Sequence, residues 1–201
     1  MTVIEKQFAD IRCLVCYPSK IAKKRMVLVH LNGAGSRGLD MQLCRDCVPY
    51  AYAQSNEDFP FVLVIPLCEE DTWFDEFERL LKFLEIMKEE EKADKYLLSG
   101  VSMGAYAGWQ VLASKPHLFN KAIMLCGGGM YWNASRIKTH VWAFHGEEDD
   151  CVFVEETKKM EKAIKTNGGK VKTTYFANVG HNCWDIVYND KSVYDWLLKE
   201  E

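Results

Sequence analysis

The sequence predicts an α/β domain in which a mostly parallel central sheet carries helices on both faces. In the second half of the chain, short apolar runs alternate with segments of helical periodicity, which is typical of parallel strands joined by helices. The 201 residues suffice for one sizeable core, and 48% of them are hydrophobic. No repeat or low-complexity linker interrupts the chain, so we expect a single domain over residues 1–201.

The apolar runs and the helical patterns predict the order of the elements. We expect an edge strand at residues 11–17 and further strands at 26–31, 61–66, 96–99, 121–126, 141–145 and 171–176. Helices are predicted at 73–92, 103–114, 154–166 and 193–199. In the first of these, apolar residues spaced by three and four form one face, and Asp71 or Thr72 could cap its start.

Residues 100–104, Gly-Val-Ser-Met-Gly, contain a candidate nucleophile. They match the G-x-S-x-G motif and lie between a predicted strand and a predicted helix, the context in which this motif forms a sharp turn. Such a turn would expose the Ser102 hydroxyl at the carboxyl edge of the sheet, where the helix N-terminus favours developing negative charge. A glycine-rich turn with a serine cap is the structural alternative.

A serine nucleophile needs a base, and the base needs an acid that holds it in one tautomer. Asp149 follows the strand predicted at 141–145, and His181 follows the one at 171–176, so both should lie at the same sheet edge as Ser102. The chain order serine, acid, histidine is that of the α/β-hydrolases. These three residues are therefore the predicted catalytic triad.

Other acids and histidines remain as alternatives. Asp150 is adjacent to Asp149 and could be the acid in its place, and Asp185 is a more distant candidate. His30 and His145 end predicted strands, where we expect them to make structural hydrogen bonds.

Two backbone N–H groups are candidates for an oxyanion hole. Met103 directly follows the predicted nucleophile. Ala34 lies in the glycine-rich loop 32–38 after the strand at 26–31, and its neighbouring glycines would let that backbone approach a substrate closely.

Aromatic and methionine side chains in or beside loops at this edge predict an apolar substrate pocket. They are Trp73, Met130, Tyr131, Trp132 and Trp184. Ordinary core packing is the alternative for each of them.

Five stretches together resemble the "predicted peptidase" branch of the phospholipase/carboxylesterase-like α/β-hydrolases, which is related to feruloyl esterases and polyhydroxybutyrate depolymerases. They are LNGAGSRG at 31–38, PLCEEDTW at 66–73, GVSMGAYAGW at 100–109, VWAFHGEEDDCV at 141–152 and HNCWD at 181–185. The resemblance implies the α/β-hydrolase fold, with Asp149 as the acid that ends H-G-x-x-D and His181 as the base. The chain departs from the family at Asn32, where histidine is usual, and at Ala105, where a second glycine is usual. Asn32 affects the side-chain hydrogen bonding of the oxyanion loop but not its backbone donor.

Only a short glycine-rich loop, residues 127–140, separates the predicted strands at 121–126 and 141–145. This leaves no room for the cap domain that the fold often carries there. We therefore expect a serine esterase with an open site, acting on aromatic or short-chain acyl esters through an acyl-enzyme. A small serine peptidase or a thioesterase would use the same triad, and a non-catalytic binding protein is a third, less favoured possibility.

The net charge and the absence of targeting signals limit the classes of partner that the sequence predicts. The formal net charge is −4 with both signs mixed, which provides no electrostatic footprint for nucleic acid or an anionic membrane. No signal-peptide pattern or apolar run of membrane-spanning length is present, so we expect a cytoplasmic enzyme with a small-molecule ester substrate.

The eight cysteines include two CxxC pairs, Cys13–Cys16 and Cys44–Cys47. Residues three apart on a strand point to opposite faces, so the first pair should not share a metal ion. We expect reduced, buried thiols and neither a metal nor an organic cofactor.

Overall fold

An eight-stranded sheet forms the centre of the computed structural model, which describes residues 1–20 and 24–200. The strands are β1 (Thr2–Phe8), β2 (Ile11–Tyr17), β3 (Met26–Leu31), β4 (Val62–Pro66), β5 (Lys95–Val101), β6 (Lys121–Leu125), β7 (His140–Gly146) and β8 (Val171–Phe176). Their order in the sheet is β1-β2-β4-β3-β5-β6-β7-β8. β1 and β2 are antiparallel to their neighbours, whereas β3 to β8 pair in parallel, so the predicted mostly parallel sheet is confirmed.

Helices cover both faces of this sheet, also as predicted. They are α1 (Gln42–Arg45), α2 (Val48–Ser55), α3 (Phe77–Glu90), α4 (Met103–Ser114), α5 (Glu155–Thr166), α6 (Trp184–Asn189) and α7 (Lys191–Leu198). Side chains alternate along each strand, so Val27 and Val29 enter the core under α3, α4 and α5, whereas Leu28 enters the core under the other helices. Because β3 to β8 run in the same direction, their carboxyl ends all lie at one edge of the sheet, together with the loops that follow them.

The structure also contains elements that the sequence patterns did not predict. β1 is an edge strand with mostly exposed side chains, so it lacks an apolar run that would have marked it as a strand. The prediction that the strand at 11–17 lies at the edge is therefore wrong, because this strand, β2, pairs with both β1 and β4. α1 and α6 have four and six residues, which is too short for a helical period to be recognised. The predicted helix at 73–92 begins at Phe77, because Asp75 accepts hydrogen bonds from Thr72 N and Oγ1 and forms a turn before it.

The two CxxC cysteines on β2 point in opposite directions. Cys13 packs in one core and Cys16 in the other, as expected for residues three apart on a strand. All eight cysteines are free thiols, and burial raises the pKa of both Cys13 and Cys16. Within residues 1–20 and 24–200, no helix has the length and apolar character needed to cross a membrane.

Candidate active site

Ser102 occupies a strained turn between β5 and α4. Its backbone has φ +52° and ψ −118°, a region that residues other than glycine rarely adopt. The glycines on either side make this turn possible: a Cβ at Gly100 would lie 2.5 Å from the Gly104 carbonyl oxygen, and a Cβ at Gly104 would collide with the Leu31 carbonyl. The turn places Ser102 at the carboxyl edge of the sheet.

Two loops bring a histidine and a carboxylate to this serine. Ser102 Oγ lies 3.0 Å from His181 Nε2, and His181 Nδ1 lies 2.7 Å from Asp149 Oδ2. With the carboxylate accepting from Nδ1–H, Nε2 has a lone pair directed at the serine hydroxyl. The side chain of His181 is 20% exposed, so the pair can be reached from solvent. A histidine in this position can accept the hydroxyl proton.

The loop after β7 holds Asp149 with backbone donors. Its Oδ1 accepts from Cys151 N at 2.9 Å and from Val152 N at 2.8 Å. Burial by itself would raise the pKa of Asp149, but the hydrogen bonds from His181, Val152 and Cys151 outweigh it and hold this pKa below its usual value. Asp150 is exposed, and its carboxylate is 3.7 Å from Cys151 Sγ. Of the two neighbouring acids, Asp149 is the one that meets the histidine.

A second histidine supports the same loop from below. His145 is fully buried, with Nδ1 2.7 Å from Thr157 Oγ1 and Nε2 2.8 Å from the Val152 carbonyl oxygen. Its Nε2 is also 3.1 Å from Asp149 Oδ2. His145 therefore ties the loop of Asp149 to α5 and β7.

Sequence reasoning missed two thiols that contact the loop of the candidate base. Cys126 Sγ lies 2.8 Å from Cys183 Sγ and 3.0 Å from the His181 carbonyl oxygen, to which it donates. Contact with Cys126 and burial raise the pKa of Cys183, so this thiol is neutral at ordinary pH. The two cysteines are far apart in the chain, so the sequence does not indicate that they meet. The position of Cys183, two residues after His181, is the one feature that could have pointed to a thiol near the candidate base.

Potential metal ligands also meet at this edge. Within the part of the chain that the structure describes, ligand atoms of Cys126, Asp149 and His181 lie within 4.8 Å of one another, as do those of Asp149, Asp150 and Cys151. In the first group the carboxylate and the imidazole are hydrogen-bonded to each other, so a metal ion would have to break that contact.

The two candidate oxyanion donors lie at the starts of helical segments. Met103 is the first residue of α4, and Ala34 is the first residue of a 3₁₀ turn, Ala34–Ser36. N–H groups at such positions have no partner within their own helix. A Cβ at Gly33 would lie 3.4 Å from Ser102 Cβ, so the loop that carries Ala34 packs directly against the turn at Ser102.

Asn32, which stands where the resembled family has histidine, is 2% exposed in the same loop. Its carbonyl oxygen accepts a hydrogen bond from Trp73 Nε1 at 2.9 Å. Among the described residues, its side-chain Nδ2 has no hydrogen-bond partner. The backbone of the loop is thus held by the indole of Trp73.

A cavity of about 370 Å³ lies beside Ser102, and it differs from the predicted pocket. Of the five predicted residues, Trp184 lines this cavity. Trp73 is instead fully buried beneath the loop 32–38, and Met130, Tyr131 and Trp132 are exposed.

Met130, Tyr131 and Trp132 do not line the cavity because of the way the loop between β6 and β7 folds. The Arg136 side chain donates to the Ala113 carbonyl oxygen at 2.8 Å, which ties the loop to the end of α4. Tyr131 and Trp132 line a separate groove on α5. The cavity beside Ser102 is lined instead by the residues between α1 and α2, by the start of α2, by the end of β5 and by α6. These residues include Asp46, Cys47, Val48, Pro49, Val101, Trp184 and Tyr188.

Comparisons with known proteins agree with this architecture. Residues 56–194 match the model of the dienelactone hydrolase family. A thermostable esterase of known structure is similar over 97% of this chain, with 27% identity and a TM-score of 0.85, and the chain spans 62% of that esterase's length. No curated protein sequence is significantly similar to the chain.

Two further solved structures are more distant in sequence. Est1E from Butyrivibrio proteoclasticus, also solved with ferulic acid bound, has 12% identity and a TM-score of 0.75, with 98% of this chain and 97% of its own covered. An acylaminoacyl peptidase from Pyrococcus horikoshii has 14% identity and a TM-score of 0.66, with 90% of this chain and 37% of its own covered. At these identities the two structures show a shared fold.

Proposed function

The chain belongs to the dienelactone hydrolase family and has the α/β-hydrolase fold, and from this premise we propose that it is a serine hydrolase that cleaves carboxylic esters. The observation that carries the proposal is the hydrogen-bonded series from Ser102 through His181 to Asp149, with distances of 3.0 and 2.7 Å. Ser102 is the proposed nucleophile, His181 the base and Asp149 the acid that orients it.

In the proposed reaction, Ser102 Oγ attacks the ester carbonyl while His181 Nε2 takes its proton. The Asp149 carboxylate stabilises the imidazolium that forms, and the N–H groups of Met103 and Ala34 bind the oxyanion. His181 then protonates the leaving alcohol, and an acyl-enzyme on Ser102 remains. A water molecule, deprotonated by His181, releases the acid and restores the hydroxyl. The steps require neither a metal ion nor an organic cofactor.

The proposed substrates are small esters with a compact apolar acyl or alcohol group. A cavity of about 370 Å³ falls at the lower end of the range for small-molecule sites. The side chains of Val48, Pro49, Val101 and Trp184 make its walls largely apolar. These features support short-chain or aromatic groups over long ones.

The proposal is tested by steady-state hydrolysis of p-nitrophenyl acetate and p-nitrophenyl butyrate. We expect a burst of p-nitrophenol at high enzyme concentration, and Ser102→Ala should lower kcat by on the order of 10⁴ or more. Ser114→Ala, at the other end of α4, is the matched control and should retain the wild-type rate.

Three outcomes would contradict parts of the proposal. A Ser102→Ala variant with a tenth of the wild-type rate would exclude this nucleophile. A higher kcat/KM on peptide anilides would indicate a peptidase, and a higher value on acyl thioesters would indicate a thioesterase.

A further inference from the structure

The mouth of the cavity beside Ser102 carries a carboxylate without an opposing cation. Asp46 lines the cavity and is exposed, and its Oδ1 accepts a hydrogen bond from the neutral Gln42 side chain at 2.8 Å. Across residues 1–20 and 24–200, no ion pair of Asp46 is found. The adjacent Arg45 directs its guanidinium to Glu5, at 3.0 Å. The charge of Asp46 is therefore available to a bound molecule.

The described lining of the cavity offers that carboxylate no basic partner. Its described lining contains neither lysine nor arginine. Arg37, next to the lining residue Ser36, donates to the Asp71 carbonyl oxygen at 3.2 Å instead. His30, at the floor, is neutral because burial lowers its pKa to about 3. Among the described residues that line the cavity, Asp46 is consequently the only aspartate, glutamate, lysine or arginine.

An aromatic side chain lies in the same cavity. The half-buried Trp184 packs edge-to-face against His181, with ring centroids 5.3 Å apart. Indole attracts cations through its ring electrons, and a carboxylate combined with an aromatic face is suited to an ammonium group.

We propose that this cavity selects esters that carry an ammonium group, with Asp46 supplying the charge and Trp184 the aromatic contact. The inference rests on the proposed ester hydrolysis, whose substrate class it narrows. An ester with a carboxylate in the same position would be repelled by Asp46, since the interaction changes sign with the charge.

The test compares esters that differ in charge but not in shape. Butyrylcholine has a positive nitrogen where its isostere 3,3-dimethylbutyl butyrate has a carbon, so this pair carries the cation in the alcohol. The p-nitrophenyl esters of 4-(trimethylammonio)butyrate and 5,5-dimethylhexanoate carry the same exchange in the acyl group. We expect kcat/KM to favour the cationic member of at least one pair by about tenfold at low salt. Raising the ionic strength should reduce this ratio, because the carboxylate is exposed.

The variants assign the preference to one carboxylate. Asp46→Asn keeps the side chain's size and an oxygen that can accept from Gln42, and it should bring the ratio close to one. Asp58→Asn removes the same charge at an exposed position on the loop before β4, and it should leave the ratio at its wild-type value. A ratio near one for both pairs in the wild type, or a preference that survives Asp46→Asn, would overturn the inference.

Binding to Ser102→Ala separates this inference from the proposed function. Calorimetric titration of that variant with butyrylcholine should show binding that weakens about tenfold when Asp46→Asn is added. That result would support the cation site even in a protein that cleaves no ester. Equal affinity for butyrylcholine and its neutral isostere would contradict the site, whatever the esterase assays show.

Discussion

Ser99 and Ser102 lie three residues apart at the end of β5, and each is close to a histidine. His30 Nδ1 is 3.1 Å from Ser99 Oγ, and His181 Nε2 is 3.0 Å from Ser102 Oγ. The two distances are nearly equal, yet the surroundings of the two pairs are opposite in character. Comparing the two pairs indicates what a serine needs, besides a nearby histidine, to act as a nucleophile.

The inner pair, His30 and Ser99, is buried and uncharged. His30 is 1% exposed, and the Tyr188 hydroxyl lies 3.4 Å from its Nδ1 and 2.6 Å from Ser99 Oγ. Burial lowers the pKa of His30 to about 3, although a hydrogen bond with Asn32 acts in the opposite direction. Such a histidine is too weak a base to take a serine proton at neutral pH.

The outer pair is His181 and Ser102. Its histidine contacts the carboxylate of Asp149 and is accessible to solvent. Asp149 Oδ2 lies 2.7 Å from His181 Nδ1, and the strained turn presents Ser102 to the cavity. The pairs therefore differ in whether a carboxylate contacts the histidine and in how far solvent reaches it, and predictions can be directed at each difference.

The largest expected effect comes from giving His181 the uncharged surroundings of His30. Asp149→Asn removes the charge that stabilises imidazolium and can favour the wrong tautomer, so kcat/KM should fall by on the order of 10³ to 10⁴. Asp150→Asn is the matched control one residue away and should stay within a few-fold of wild type. Both values are measured on p-nitrophenyl butyrate near pH 7, with folding checked by circular dichroism. An inactive Asp150→Asn beside an active Asp149→Asn would place the acid one residue later.

A smaller effect should appear in the free energy of unfolding of the protein at acid pH, through His30 of the inner pair. The folded-state pKa of His30, about 3, lies below its ordinary value of 6.5, so between these values the unfolded chain binds a proton that the folded chain does not. Stability should therefore fall as the pH is lowered from 6.5 towards 3, by up to about 1.4 kcal/mol per pH unit from this group. In urea unfolding at several pH values, His30→Gln should lose this part of the slope, and the exposed His117→Gln should keep it. Equal slopes for wild type and His30→Gln would show that His30 is not held neutral by burial.

Local patterns predicted the parts of this architecture that local chemistry determines. The parallel strands β3 to β7 are mostly apolar runs, and the turn at Ser102 needs the glycines that make the motif recognisable, so both could be found in the sequence. The strand ends then placed Asp149 and His181 at the edge where the structure has them.

The cavity could not be predicted in the same way. Which loop folds inward depends on packing between distant residues, and the sequence positions of Trp132 and Trp184 at the sheet edge do not distinguish an exposed side chain from one that lines the site. α1 and α2 carry Asp46 to the mouth, but α1 is too short to leave a periodic pattern. Likewise, Cys126 and Cys183 meet across 57 positions of sequence.

Covalent labelling with a fluorophosphonate tests the choice between the two serines most directly. The reagent reacts with serines that an adjacent base activates, and tandem mass spectrometry can distinguish an adduct on Ser102 from one on Ser99 within a single peptide. We predict one adduct, on Ser102, that persists in Ser99→Ala and is absent in Ser102→Ala. Ser99→Ala should cost about 1 kcal/mol of stability through its lost hydrogen bonds. An adduct on Ser99, or labelling that survives Ser102→Ala, would contradict the assignment of Ser102 as the nucleophile.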